Sequence, residues 1–487
     1  MKTLIKQRIL NSKLLLVGFL ALGGFVSSCS DMLEEEPKTI VSENFYQSVS
    51  DFNAATNAIY FPLRMVRSEQ IAVLSAHTDW GYGRGSRAQY NDFDGFNPTN
   101  INAAAARWNS FYQGIRNANI VIQKVPLSEE LTADEVSQFT AEAKFLRALT
   151  YFDLVRNWGG IPLRTDQNLE EKDVPKSSAE EVYDLILADL ADAEMHLPAS
   201  AAEPGRPTQW AAKTLLADVY LQLEDFAMAK LKAEEVMESE VFRLVEIDTV
   251  VDLREKIFGA TLITSSEEIF SFKFARQSGQ GNGLPWILNH PSTGLYNFGG
   301  AYAHYGDASN PFYKEWEDGD IRKDLWQFVD FGLGDSTIVN GKYAEPQAVD
   351  NSGAGNDIPI YRYSELLLIY AEASARIDGL NEDNLEAVNQ VHRRAFGLDP
   401  MAASDLDFQM EKLSAENFLD LILQEKAYET QFEGKRWLDL KRTGRAEEFV
   451  MKNKGISISE RHYLWPIPLE ELNFNEAMDQ SDQNPGY

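Results

Sequence analysis

The sequence predicts a mainly α-helical protein made of tetratricopeptide-like helical hairpins, with an irregular loop-rich lobe that carries short strands. Apolar residues recur at helical spacing over most of the chain, and alanine and tyrosine recur together in two paired segments. Two stretches rich in glycine and aromatic residues lose this spacing. Hydrophobic residues make up 44% and charged residues 25% of the chain, which is ordinary for a globular protein with a sizeable core.

The first 28 residues have the pattern of an export signal. Four basic residues precede an apolar run at 14–26, which is too short to span a bilayer comfortably. Two serines follow, and then Cys29, which is the only cysteine of the chain. This order predicts a lipoprotein signal peptide over 1–28 and lipidation of the Cys29 sulfur, so that lipid rather than a spanning helix anchors the protein. The alternative is an ordinary secretory signal with an incidental thiol.

The charge balance bears on the possible partners. The chain has 45 basic and 75 acidic residues, and loss of the four basic residues of the signal peptide lowers its net charge from −30 to −34. An acidic surface repels phosphates and anionic headgroups. The sequence therefore predicts no nucleic acid partner and favours neutral ligands over polyanions.

Helices are predicted in order from the apolar spacing. The first covers about 43–62, with Phe45, Phe52 and Ile59 on one face. Residues 108–119 repeat large residues at helical intervals, and a third helix covers about 133–157, before two glycines and a proline.

Paired helices follow. Ser178 and Glu181 form a capping box that opens a further helix. The strongest hairpin signal lies at 207–239, and a second begins at 366. In both segments alanines allow two helices to approach closely while tyrosine and leucine fill the gap. A single pair cannot bury its own apolar face, so the pairs are expected to stack.

The two stretches without helical spacing are 77–102 and 264–355, and they are the candidate ligand loops. Long loops in compact domains are usually functional. Sugar rings present flat C–H faces that stack on aromatic rings, while their hydroxyls hydrogen-bond to charged and amide groups. The candidate glycan-binding residues are therefore loop aromatics and their polar neighbours: Asp79, Trp80, Tyr82, Arg84, Trp286, Tyr296 and Tyr305. For each aromatic residue the alternative is packing in a core.

No pattern in the sequence indicates catalysis. The six histidines have no metal-ligand spacing, and no nucleophile elbow is present. The glycines at 81, 83 and 85 have the wrong spacing for a nucleotide-binding loop. We therefore expect no catalytic residue, no metal ligand set and no cofactor, although a carboxylate pair needs only spatial proximity and would leave no sequence motif.

A resemblance to a known family rests on three segments. The stretch 424–442, QEKAYETQFEGKRWLDLKR, resembles the C-terminal signature of the SusD/RagB family, with Lys426 where the family usually has arginine. The WGGIPL turn at 158–163 and the tail YLWPIPLEEL at 463–472 are also similar to family motifs. We expect 424–442 to be a structural hub against which helices pack, rather than a solvated helix.

The resemblance implies the organisation and the function. It implies one SusD-like domain over 29–487, with loop-rich insertions at about 77–102 and 264–355. It implies a non-catalytic, lipid-anchored outer-membrane protein that faces the extracellular side, binds oligosaccharide and delivers it to a SusC-like TonB-dependent transporter. Two alternatives stay open: a RagB-type peptide-import lipoprotein, and a tetratricopeptide-type protein adaptor.

Overall fold

The computed structural model describes residues 45–298 and 304–487, so the predicted signal peptide and Cys29 lie outside the described residues. Helices dominate, which confirms the predicted mainly α fold. Their bounds are α1 Val49–Ala76, α2 Ala105–Lys124, α3 Ala133–Trp158, α4 Ala179–His196, α5 Gln209–Gln222, α6 Phe226–Met237, α7 Val250–Ile257, α8 Leu284–Leu288, α9 Pro311–Lys314, α10 Tyr363–Asp378, α11 Glu382–Ala395, α12 Ala415–Glu429, α13 Arg436–Arg442, α14 Ala446–Lys454 and α15 Leu469–Phe474.

The strands are short and form three small sheets in the described part of the chain. β1 (Ile161–Pro162) pairs with β2 (Lys176–Ser177), and β3 (Glu268–Phe272) pairs with β7 (Ile358–Arg362), both antiparallel. β4 (Tyr305–Asp307) and β5 (Trp326–Phe328) flank β6 (Thr337–Asn340) in the third sheet, also antiparallel. β3, β4, β5 and β6, with the coil between them, lie in the stretch 264–355, which we call the loop-rich lobe.

The first helix is longer than the spacing predicted. Ser48 is the N-cap of α1 and its hydroxyl accepts from the backbone N–H of Asp51; the helix runs from Val49 through Pro62 to Ala76. The sequence predicts that this helix ends at Pro62, and a proline inside a helix removes one backbone hydrogen bond. Packing of α1 along α2 overrides that local cost, and Gly114 of α2 allows the close approach, since a Cβ there would lie 2.7 Å from a methyl carbon of Leu63.

The predicted hairpins are present as packed helix pairs. α5 packs on α6, α10 packs on α11, and α10 also packs on α6, so the two pairs stack. The alanines that allow this approach, including Ala229, Ala233 and Ala387, are almost fully buried. The capping box at Ser178 forms as predicted, with the hydroxyl accepting from the Glu181 N–H.

The stretch 424–442 is buried at the seam between the helices and the lobe. The Glu429 carboxylate accepts hydrogen bonds from Arg322 in the lobe, from Arg362 at the end of β7 and from Arg394 in α11. Burial alone would raise the pKa of Glu429, but the three guanidiniums outweigh it and hold the pKa well below its usual value. The segment therefore joins the two parts of the molecule by charge as well as by packing.

Lys426, the departure from the family signature, keeps a structural role. Its ammonium donates to Asp439 at 2.9 Å, and both side chains are nearly inaccessible to solvent. The substitution of arginine by lysine thus leaves a single point contact where a guanidinium would offer a bidentate one.

Candidate functional site

The structure buries three of the seven predicted ligand residues. Asp79 and Tyr296 are 0% and 1% exposed, and Trp80 is 3% exposed. These three side chains therefore present almost no surface to a ligand, and their contact with glycan stays a prediction that the burial does not support.

Each buried residue has a structural partner that explains its position. Asp79 accepts two hydrogen bonds from the Arg436 guanidinium, at 3.0 and 2.7 Å. Trp80 stacks on Phe312 at 5.7 Å between ring centroids and lies edge-on to Phe432 of the signature segment at 5.0 Å. Tyr296 packs in a small core with Ala348 and Ala354, and its hydroxyl donates to the Asp350 carbonyl at 3.3 Å.

The structure brings Tyr82 and Tyr305 together although they are far apart in sequence. Their backbones form an antiparallel bridge, and each N–H donates to the carbonyl of the other residue at 2.9 Å. Their rings stack with centroids 5.3 Å apart and an angle of 19° between planes. The bridge extends the sheet of β4, β6 and β5 and fixes the two rings relative to each other.

Three further side chains extend this pair into what we call the aromatic patch: Tyr82, Arg84, His290, Tyr305 and Phe331. Phe331 lies edge-on to Tyr305 at 6.2 Å, and His290 stacks on Phe331 at 5.3 Å. The Arg84 guanidinium lies 4.8 Å above the Phe331 ring. All five side chains are partly exposed. The patch therefore combines ring surface with a cationic hydrogen-bond donor.

Polar groups surround the patch. Among the described residues the Arg84 guanidinium makes no hydrogen bond, so its N–H groups are available to a ligand. Asp307, two residues after Tyr305, is half-buried; burial would raise its pKa, but hydrogen bonds from Ser309 outweigh this and lower it. Asp307 is therefore an ionised acceptor at neutral pH.

A half-buried lysine lies against the Tyr82 ring of the patch. The Lys454 ammonium donates to the carbonyls of Ala76 and Gly81, at 2.9 and 2.6 Å, and lies 4.6 Å from the centre of the Tyr82 ring. Burial lowers the pKa of Lys454 to about 7. This contact ties the chain just before Tyr82 to α14.

Trp286, the remaining predicted residue, lies beside the patch. It is half-buried on α8, with the Arg87 guanidinium 5.8 Å from its ring, and Arg87 also pairs with Glu69. The backbone after Trp286 meets the start of β4, because the His304 N–H donates to the Ile287 carbonyl at 2.8 Å. Trp286 is thus adjacent to the patch but is held by its own neighbours.

Two members of the aromatic patch, Phe331 and His290, were not among the ligand residues predicted from the sequence. Phe331 lies in the loop at 329–336 between β5 and β6, directly before Gly332 and close to Gly334, both with positive φ. An aromatic residue beside such glycines at a turn was the available signal. Phe328, at the end of β5, is 64% exposed and lies on the same hairpin.

No group of three or more metal-binding side chains occurs in residues 45–298 or 304–487. The patch offers rings, one guanidinium and one ionised carboxylate, which suits binding of a polyhydroxylated ligand through stacking and hydrogen bonds.

Comparison with known proteins decides the family. A family model described as "Starch-binding associating with outer membrane" matches residues 33–221, and the model of the SusD family matches residues 330–487. The chain belongs to the SusD/RagB family. Two curated relatives from Formosa agariphila, SusD-like proteins P2 and P38, are each 27% identical over 94% of this chain and cover 97% and 96% of their own lengths.

Solved SusD structures share the fold. A SusD superfamily protein from Parabacteroides distasonis is 25% identical, with a TM-score of 0.74 over 92% of this chain and all of that one. Surface glycan-binding protein A from Bacteroides fluxus is also 25% identical, with a TM-score of 0.73 over 91% of this chain and all of that one. A SusD homologue from Bacteroides thetaiotaomicron, 21% identical, has a TM-score of 0.78 over 91% of this chain and 98% of its own.

Within the described ranges, none of the helices of this SusD-family chain has the length and apolar character needed to cross a membrane. This finding concerns residues 45–298 and 304–487, and the predicted signal peptide lies outside them.

Proposed function

We propose that this SusD/RagB protein binds oligosaccharide at the aromatic patch without catalysis and delivers it to a SusC-like TonB-dependent transporter. The observation that carries the proposal is the bridged and stacked pair Tyr82 and Tyr305, partly open beside the free Arg84 guanidinium. Family membership supports it, as does the relative from B. fluxus that is named a surface glycan-binding protein.

The patch matches the two needs of sugar recognition. The rings of Tyr305 and Phe331 meet edge to face and present surface to which a pyranose C–H face can pack. Arg84 and Asp307 supply a charged donor and a charged acceptor for hydroxyls, and charge-assisted hydrogen bonds are the stronger kind. Because backbone bonds and Lys454 already hold the rings in place, little ordering cost falls on binding.

The position at the cell surface is part of the same proposal. Lipid on Cys29 would hold the protein at the outer membrane, and the acidic segment after it would act as a tether to the folded part. The protein would then cover the mouth of the transporter from the extracellular side and release its ligand inward. The absence of a role in catalysis follows from the family expectation that these proteins bind rather than cleave glycans.

Isothermal titration against a panel of neutral oligosaccharides tests the proposal. For a ligand that binds, Tyr305→Ala and Phe331→Ala should each weaken binding by about 1–2 kcal/mol, or roughly 5- to 30-fold. Phe474→Ala is the matched control, because Phe474 is 71% exposed and lies on α15, which contributes no side chain to the patch.

The outcomes separate the proposal from its rivals. Binding to peptides with no binding to any oligosaccharide would overturn it in favour of the peptide-import alternative. If an oligosaccharide binds and Tyr305→Ala changes its affinity no more than Phe474→Ala does, the patch is not the site. Co-purification tests the proposed anchoring and the transporter partnership. A SusC-like transporter should co-purify with the parent chain and should be lost when a soluble export signal replaces Cys29 and the signal peptide.

A further inference from the structure

A second cleft lies outside the aromatic patch, along the exposed face of α2. It has a volume of about 390 Å³ and is bounded by α2, by the segment after β1 and by α15. Its main polar lining residues are Asn109, Gln113, Arg116, Arg164 and Glu471, with Tyr112 as the largest ring. This volume is within the range of ligand pockets and accommodates about one or two sugar rings.

Three of these polar side chains have no partner in the part of the chain that the structure describes. Asn109, Gln113 and Arg116 follow one another on one face of α2, at the spacing that places helical residues side by side. All three are exposed, and none of them makes a hydrogen bond or ion pair with the described residues. The cleft therefore presents two amides and a guanidinium whose hydrogen-bonding capacity is unused.

The remaining polar lining residues of the cleft, on α2 and across from it, are held by hydrogen bonds within the protein. The Tyr112 hydroxyl donates to the Pro162 carbonyl at 2.8 Å, and its ring leans on Trp108 with centroids 4.8 Å apart. Arg164 donates to the carbonyls of Glu171 and Lys172, at 3.2 and 3.1 Å, and pairs with Glu471 at 3.5 Å. A ligand would meet a wall with a set shape, which lowers the ordering cost of binding.

The charge of the cleft contrasts with the charge of the chain. Arg164 and Glu471 offset each other, so Arg116 leaves an excess of one positive charge in a protein whose net charge is −30. The cavity beside Tyr60, of about 320 Å³, differs: its cations Arg206 and Lys273 are paired with carboxylates, and Arg64 donates to the Lys273 carbonyl and to the Gln280 side chain. Of these two cavities, only the α2 cleft has a guanidinium without a hydrogen bond to the described residues.

We propose that the α2 cleft is a second ligand site, which binds a sugar unit that carries a carboxylate, such as a hexuronate. Arg116 would pair with the carboxylate in the bidentate geometry that guanidinium favours, and Asn109 and Gln113 would bind ring hydroxyls. The Tyr112 ring would provide the apolar contact. The site shares no lining residue with the aromatic patch, so it stands whether or not that patch binds neutral glycans.

Titration of the full chain in detergent with α-1,4-digalacturonate tests the proposal, with α-1,4-galactobiose as the neutral counterpart. Arg116→Gln should weaken digalacturonate binding at least tenfold and reduce its salt dependence. Arg116→Lys keeps the positive charge but loses the bidentate contact, so its affinity should fall between those of Arg116→Gln and the parent chain, with the salt dependence retained. Arg243→Gln is the matched control, because Arg243 is exposed, outside the cleft, and gives the same change in net charge.

Three results would overturn the proposal. The first is digalacturonate binding that Arg116→Gln and Arg243→Gln change equally. The second is no binding at all at millimolar concentration. The third is binding that Tyr305→Ala abolishes while Arg116→Gln has no effect, because this would place the uronate at the aromatic patch. Conversely, digalacturonate binding that survives Tyr305→Ala and is lost in Arg116→Gln supports the second site even if no neutral glycan binds.

Discussion

Substitution of Arg362 is expected to be among the most destabilising changes in this protein. Arg362 lies at the end of β7, and its guanidinium is 2% exposed. It donates to Glu267 and Glu429 at 2.6 Å and to Glu433 at 2.7 Å. Arg362→Met keeps much of the side-chain volume but leaves three buried carboxylates without their shared cation.

The magnitude follows from the charges of the cluster. Its cations are Arg322, Lys342, Arg362 and Arg394, and its carboxylates are Asp320, Glu267, Glu425, Glu429 and Glu433. The carboxylates already outnumber the cations by one, so loss of Arg362 doubles the uncompensated negative charge. Removing one partner of a buried ion pair costs about 3–5 kcal/mol, and we expect the free energy of unfolding at pH 7 to fall by about that amount.

The pH dependence gives the prediction a second readout. Burial raises the pKa of Glu433, but Arg362 and Lys342 outweigh it and hold the pKa below its usual value. In Arg362→Met only Lys342 remains to oppose the effect of burial on the pKa of Glu433. We therefore expect that pKa to rise above its value in the unfolded state, which leaves a pH window between the two values. The folded state then binds more protons in that window, and the variant should regain stability as pH falls from 7 to 5, relative to the parent chain.

Urea unfolding followed by tryptophan fluorescence measures the effect, with Arg376→Met as the control. Arg376 is 36% exposed in its side chain and lies 4.0 Å from Glu372, so its loss should cost less than about 1 kcal/mol. If Arg362→Met were within about 1 kcal/mol of Arg376→Met, the buried cluster would contribute little and the reasoning would be refuted.

Three further predictions concern single positions. Burial lowers the pKa of Lys441 to about 7, so the unfolded state binds more protons than the folded state between pH 7 and 10. The free energy of unfolding should therefore rise with pH in that window. Urea titrations at several pH values should show a smaller rise in Lys441→Met. Gly114→Ala should destabilise the chain by about 1–3 kcal/mol, because its Cβ would press on Leu63 across the α1–α2 contact; thermal unfolding measures this, and an unchanged midpoint would contradict it. Ser178→Ala should cost about 1 kcal/mol through loss of the α4 cap, and Ser178→Asp should restore most of it in the same assay.

The helical frame could be predicted from the sequence because helices carry a local signal. The apolar spacing predicted both ends of α3 to within one residue, and the capping box at Ser178 predicted the start of α4. The end of α1 could not be predicted, because the packing that carries it past Pro62 comes from α2, a partner in space rather than a neighbour in sequence.

The exposure of individual aromatic residues in the candidate ligand loops could not be predicted from the sequence. Trp80 and Tyr82 are two residues apart in a glycine-rich segment, yet Trp80 enters a core while Tyr82 lies at the surface. What separates them is contact with residues more than 200 positions away: Phe312 covers Trp80, and Tyr305 pairs with Tyr82. Without helical or strand spacing, the sequence indicated a candidate stretch for the site but not which of its rings face water.

The contact of Lys454 with the Gly81 carbonyl spans 373 positions of the chain, and its contact with Ala76 spans 378. Helices α1 to α6 pack on one another, whereas the ammonium that holds the loop before Tyr82 belongs to α14, far along the chain. A chain that ended before α14 would keep the sequence of those six helices and would lack this support for the proposed site.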